Sequence, residues 1–247
     1  MNYSANFADI NMSVFRFKRF AVDQAGCAMK INTDGVLLGA MATSPSPGRV
    51  LDIGTGTGVI ALMLAQRFPE AVVDAIEIDA LAASVARKNF ESSIFAARTT
   101  AYAVALEDFE PTQPYDLMVS NPPYFLYSLK NPDLRKQLAR HTDMAFFSDL
   151  LDRSARWLSP GGSLQLILPV PLAEQVKQKA VKEFQLVLQG ERNIHSFESA
   201  PAIRRVLAVG KAPYEAMWDQ PDFVIYENKG VYSRAYHRLL EDFFLTR

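Results

Sequence analysis

An apolar run that ends in an acid and then breaks into alternating glycines constrains this chain more than any other feature. Arg49-Val-Leu-Asp-Ile53 is followed at once by Gly54-Thr-Gly-Thr-Gly58. Residues 49–53 suit a buried strand, and residues 57–68 have helical periodicity, with Pro69 closing the run. The pattern then repeats: a strand is predicted over 71–78, a helix over 80–90, a weak strand over 100–104 and a strand over 115–120. A helix over 148–158 stops at Ser159-Pro-Gly-Gly162 and is followed by a strand over 163–169. A helix over 171–184, a strand over 203–210 and a C-terminal helix over 233–245 complete the reading. Alternating strands and helices imply an α/β fold, a mostly parallel sheet with helices on both faces. Ligands of such sheets bind at the carboxyl ends of the strands, so the loops after Ile53, Ile76 and Ser120 are the places to look.

Residues 1–47 look like an N-terminal extension, 48–212 the core, and 213–247 a C-terminal strand and helix packed on it. In the extension, Phe15-Arg-Phe-Lys-Arg-Phe20 alternates aromatic and basic residues, as a short strand does, and Ser44-Pro-Ser-Pro-Gly48 is a turn-rich break. With 247 residues, 49% of them hydrophobic, the chain can bury a sizeable core in a single domain. The formal net charge of -1 means that any nucleic-acid surface must come from local clusters of Lys and Arg. Cys27 is the one cysteine, so no internal disulfide forms, and its small apolar neighbours predict a buried packing role. His141, His195 and His237 are far apart, and no Cys or His spacing suggests a metal site. Neither a signal peptide nor an apolar stretch near the ~20 residues of a membrane helix is visible. A cytoplasmic protein is expected.

The glycine spacing decides between cofactor classes. A dinucleotide fingerprint needs its third glycine three residues after the second, and that position is Val59. Glycines at every second position after an acid resemble motif I of class I methyltransferases, in which the loop approaches the methionine and ribose parts of S-adenosylmethionine. Asp52, Gly54, Thr55, Gly56 and Gly58 are the candidate contacts. The next strand ends in Glu77-Ile-Asp79. A carboxylate there can accept both ribose hydroxyls. Glu77 matches that position, the alternative being a solvated strand end, and Asp79 is expected to cap the following helix.

Asn121-Pro122-Pro123-Tyr124 follows the strand over 115–120, which by topology neighbours the first core strand. The tetrapeptide resembles motif IV of amino-group methyltransferases, and its chemistry can be argued directly. An exocyclic amine is a poor nucleophile because its lone pair is delocalised. Two acceptors facing its N–H bonds, the Asn121 side-chain oxygen and the Pro122 carbonyl, hold it and favour a more tetrahedral nitrogen. Consecutive prolines fix φ and aim that carbonyl in advance. Tyr124 offers a face for stacking on a planar substrate.

A narrower resemblance covers nearly the whole chain. Phe15-Arg-Phe-Lys-Arg-Phe20, Cys27-Ala-Met-Lys-Ile-Asn-Thr-Asp-Gly-Val-Leu-Leu-Gly39, Arg140-His-Thr and Asp242-Phe-Phe-Leu245 are similar to the signatures of the tRNA valine adenine-N6 methyltransferase family. The resemblance implies a Rossmann-like class I methyltransferase fold with a seven-stranded, mostly parallel sheet. It implies S-adenosylmethionine as cofactor, no metal, and as substrate the adenine just 3′ of the anticodon of a valine tRNA. It also makes Asp34 a candidate cofactor contact, against the alternative of a turn-forming Asp-Gly. Phe125, Lys130, Arg135, Lys136 and Arg140, just after the catalytic loop, are the candidate RNA contacts, and a monomer is expected. Weaker basic clusters lie at Arg16, Lys18 and Arg19 and at Arg204 and Arg205. One departure is Ala103, where many relatives carry an acid near the cofactor adenine; Glu107 or Asp108 would substitute if the loop is shifted. Glutamine-N5 methylation of release factors, guanine-N2 methylation of ribosomal RNA and a catalytically inactive RNA-binding protein are the competing readings.

Overall fold

A computed structural model describes residues 13–122, 144–213 and 222–245. A short hairpin, β1 (Val14–Arg16) and β2 (Ala21–Asp23), leads to α1 (Thr33–Met41). The parallel half of the fold follows: β3 (Arg49–Ile53), α2 (Val59–Arg67), β4 (Val72–Glu77), α3 (Ala80–Glu91), β5 (Thr99–Ala103) and β6 (Tyr115–Ser120). Next come α4 (Met144–Trp157), β7 (Leu158–Leu168), α5 (Val170–Glu183), β8 (Val187–His195) and β9 (Ala202–Gly210). The chain closes with β10 (Phe223–Val224), a hairpin of β11 (Tyr226–Asn228) and β12 (Val231–Tyr232), and α6 (Arg234–Leu240).

The central sheet runs β10-β8-β9-β7-β6-β3-β4-β5. Its strands from β5 to β7 are parallel, β9 is antiparallel to both neighbours, and β10 is parallel to β8. The sheet therefore has eight strands rather than the expected seven. β8 accounts for the difference from the sequence reading. β8 reads Val-Leu-Gln-Gly-Glu-Arg-Asn-Ile-His and is only half-buried, so it shows neither a continuous apolar run nor clean alternation.

Successive strand residues feed opposite faces, as a sheet covered on both sides requires. Val50, Leu117 and Val119 pack with α1, α2 and α6, whereas Leu51, Met118, Leu164 and Leu166 pack with α4 and α5. The N-terminal segment is part of this core, through Phe17, Phe20, Val22 and the whole of α1 from Gly35 to Met41. Gly39 allows α1 to lie close on α2, because a Cβ there would sit 2.8 Å from Met63 Sδ. The predicted strand over 15–20 is shorter than expected: it ends at Arg16, and Phe17 N donates to Phe20 O at 2.8 Å to turn the chain back.

Candidate active site

The carboxyl ends of β3, β4 and β6 lie side by side, and each carries one of the acidic or amide residues singled out in the sequence. The loop after β3 turns through Gly54, Gly56 and Gly58 with φ of 71, 55 and 84°, a region that side chains with a Cβ adopt only at a cost. The three glycines serve different ends. A Cβ at Gly54 or Gly56 would meet nothing within 4 Å, so these two leave open space above the loop. A Cβ at Gly58 would lie 2.5 Å from Phe90 Cε1, so this glycine lets α3 close against the start of α2.

The loop is tied from both sides. Gly54 N and Thr55 N donate to Ile76 O at 2.9 and 3.1 Å. Glu77 Oε2 accepts from Gly56 N at 2.9 Å and Glu77 Oε1 from Asp79 N at 3.0 Å. Asp79 caps α3, accepting from Leu81 N and Ala82 N, as its place before the helix predicts. Asp52 lies beneath the turn, fully buried. Its Oδ2 accepts from Thr55 Oγ1 at 2.6 Å and from Ala61 N at 3.1 Å, while Oδ1 has no partner among the described residues. Burial pushes the Asp52 carboxyl up to about 7; the two hydrogen bonds oppose the shift and the nearby Glu77 charge adds to it.

Asn121 follows β6 directly, and Ser120 Oγ donates to Ile53 O at 2.8 Å, fastening that strand end to the glycine-loop strand. Pro122 is buried. Asn121 Nδ2 donates to Asn32 Oδ1 at 3.4 Å, and the same oxygen accepts from Gly35 N at 2.8 Å as the N-cap of α1. Asn32 was not singled out in the sequence. It connects the start of α1 to the side-chain amide of Asn121. Pro123, Tyr124, Phe125, Lys130, Arg135, Lys136 and Arg140 lie outside the described residues.

Asp34 sits in the first turn of α1, so the Asp-Gly does not form a turn. Its Oδ2 accepts from Arg204 Nε at 2.7 Å, which joins α1 to the start of β9. Arg205 pairs with Glu174 and Glu191 at 3.2 and 3.1 Å, so the Arg204 and Arg205 cluster is held in ion pairs. Ala103 ends β5 directly opposite Glu77, and Glu107 and Asp108 are exposed in the turn beyond it. Cys27 is half-buried rather than buried; its thiol is pushed up by burial and by the charges of Asp79, Asp23 and Glu77. Among the described residues no cluster could hold a metal ion, and no helix is long and apolar enough to cross a membrane.

Residues 31–193 match the methyltransferase small domain family. A tRNA1(Val) (adenine(37)-N6)-methyltransferase of Pedobacter heparinus is 50% identical over 234 residues, which span 95% of this chain and 99% of that protein. The chain belongs to the tRNA1(Val) (adenine(37)-N6)-methyltransferase family. A second member of this family, from Parabacteroides distasonis, is 41% identical over 94% of this chain and 97% of its own length. In structure, the fold is similar to that of an Agrobacterium tumefaciens protein described as a predicted O-methyltransferase, with a TM-score of 0.64 over 85% of this chain and 96% of that one at 19% identity. TrmN from Thermus thermophilus gives a TM-score of 0.51 at 26% identity, over 72% of this chain and 48% of that one. The fold thus agrees with the family match.

Proposed function

We propose that this chain transfers a methyl group from S-adenosylmethionine to N6 of adenine-37 in tRNA1(Val), in the cytoplasm, with one active site per chain. The observation that carries the reading is the placement of Asn121, at the end of β6, beside the glycine loop at the end of β3 in a chain 50% identical to an enzyme of that name. The residues present suit the cofactor. Gly54 and Gly56 leave space for it, Glu77 is an acceptor for ribose hydroxyls, and the Ile78 side chain beside Glu77 is 74% exposed as an apolar surface for a purine ring. Asp52 acts from below, bracing Thr55 and the start of α2. S-adenosylmethionine supplies, when bound, a methyl group made electrophilic by its sulfonium.

The chain's own task is alignment. Asn121 Oδ1 and the Pro122 carbonyl accept the two N–H bonds of the adenine amine, which localises its lone pair and points it along the line of transfer. Tyr124 stacks on the adenine, and Lys130, Arg135, Lys136 and Arg140, with Phe125, hold the RNA backbone and loop near it. An anticodon-loop base is not locked in a duplex, so turning it into the site costs little. The methylated nitrogen loses its proton to water. The segment over residues 1–47 contributes to the site through Asn32 and Asp34, which place α1 against Asn121 and β9.

The test is methyl transfer from labelled S-adenosylmethionine to unmodified total tRNA and, in parallel, to release factor. Label recovered as N6-methyladenosine supports the reading, and label in the release factor replaces it with glutamine methylation.

A further inference from the structure

The carboxyl edge of the sheet carries a second concavity, away from the glycine loop. β8 ends at His195, and the loop from β8 to β9 holds Phe197. Tyr226 N donates to Ser196 O at 2.9 Å, so the β11–β12 hairpin rises from the same edge. Phe197, Tyr226, Lys229, Gly230 and Tyr232 line an open pocket of about 330 Å³. Its walls are aromatic. The Phe197 and Tyr226 ring centroids are 5.7 Å apart, Tyr226 stacks on Tyr232 at 5.0 Å, and Tyr232 stacks on the buried Tyr236 at 4.2 Å. The core thus anchors the rings, yet Phe197 and Tyr232 remain 37% and 39% exposed. Rings held in place with surface open to water bind a planar partner at little cost in side-chain entropy.

Contacts join this pocket to the active site. Asn121 meets Asn32, Asp34 two residues on bonds to Arg204, and Arg204 pairs in register with Ile194 at the end of β8. β8 and β10, whose following segments carry the pocket, stand three and four strand positions from β6, about 14 and 19 Å at ~4.8 Å per position. One ligand can reach both places if it is long and carries separate planar groups, as an unpaired RNA loop does. The local charge is mixed: exposed Lys229 stands with exposed Glu198 and Glu227, and Asp222 is engaged by His195 at 3.0 Å. Stacking, not attraction for phosphate, is what the pocket offers.

We propose that the Phe197–Tyr226–Tyr232 pocket receives an unpaired nucleobase of the RNA substrate, a few nucleotides from the methylated adenine. The proposal rests on the RNA reading above and adds a second anchor to it, one that sets which nucleotide of the loop reaches Asn121. Steady-state kinetics with unmodified tRNA test it in Phe197→Ala, Phe197→Trp and Lys229→Ala. Phe197→Ala is expected to raise the KM for tRNA roughly 5- to 100-fold while kcat and cofactor affinity change less than about twofold. Phe197→Trp restores the KM, and Lys229→Ala changes it little. Abasic nucleotides placed one at a time in an anticodon stem-loop should reveal one position whose loss matches that of Phe197→Ala and does not add to it. An unchanged KM in Phe197→Ala, with normal wild-type turnover, overturns the pocket and leaves the methyltransferase reading standing. Loss of cofactor affinity or thermal stability in both Phe197 variants shows a structural role and also overturns it. Absence of tRNA methylation by the wild-type chain overturns the underlying reading, and the pocket's assignment with it.

Discussion

Asp52 and Asn121 end neighbouring strands but meet opposite demands. Asp52 is sealed beneath the glycine loop, where burial raises its pKa to about 7 against about 3.9 in an unfolded chain. Between those values the folded state holds the proton more tightly, so the group's contribution to stability is complete below the unfolded pKa and is lost as pH rises through about 7. Asp52→Asn keeps an oxygen for Thr55 and Ala61 and never ionises. Its stability relative to wild type, measured by urea unfolding, should therefore improve between pH 5 and pH 8; a difference independent of pH contradicts the assignment. The role proposed for Asn121, by contrast, needs a neutral acceptor. Asn121→Ala should lower kcat by about 10²–10³ with cofactor affinity nearly unchanged. Asn32 acts through it: Asn32→Ala should reduce kcat more than KM, and Asn32→Asp, which keeps the acceptor and the cap, should recover most of the loss. A parallel fall in both variants would contradict this role, because Asn32→Asp keeps both the acceptor and the cap. Glu77 and Asn121 stand at strand ends where their motifs place them, whereas Asp52, read from the sequence as a cofactor contact, is sealed beneath the loop. Asn32 was not legible, because its partner lies 89 residues away and only the fold brings them together.

At the scale of elements, the strands and helices from β3 to α5 were readable from periodicity and glycine or proline breaks. α1 was not. It is buried from Gly35 to Met41, so it has no polar face and no 3.6-residue rhythm to detect, and Asp34-Gly35 was open to reading as a turn. The tightly turned glycine loop gives a sharper prediction. Gly54→Ala meets only the backbone cost of its positive φ, about 1–2 kcal/mol, and should act mainly on cofactor binding. Gly58→Ala adds a clash with Phe90 and should cost about 2–4 kcal/mol of stability. Thermal unfolding of the two variants checks the order, and equal losses would mean that Phe90 gives way without cost.

For the whole molecule, the sheet order divides labour. The glycine loop and Glu77 lie on β3 and β4, the proposed substrate residue Asn121 follows β6, and α1 and the C-terminal helix close over one face of the sheet. The Asp34–Arg204 pair joins α1 to β9 at partial exposure, so a double-mutant cycle should find a coupling of only about 0.2–1 kcal/mol in stability. A larger coupling appearing only in turnover would show that α1 and β9 act together in catalysis. The α/β class was legible because alternation of elements is a local pattern. The eighth strand, β8, was not, because it is only half-buried and shows neither an apolar run nor clean alternation. The net charge of -1 gave no sign of the RNA partner proposed above. The central claim is tested most directly with two transcripts of tRNA1(Val), one unmodified and one with adenine-37 replaced by guanine, each incubated with the chain and labelled S-adenosylmethionine. The account predicts N6-methyladenosine in the first and no label in the second. Equal labelling of both transcripts, or none in either, would contradict it.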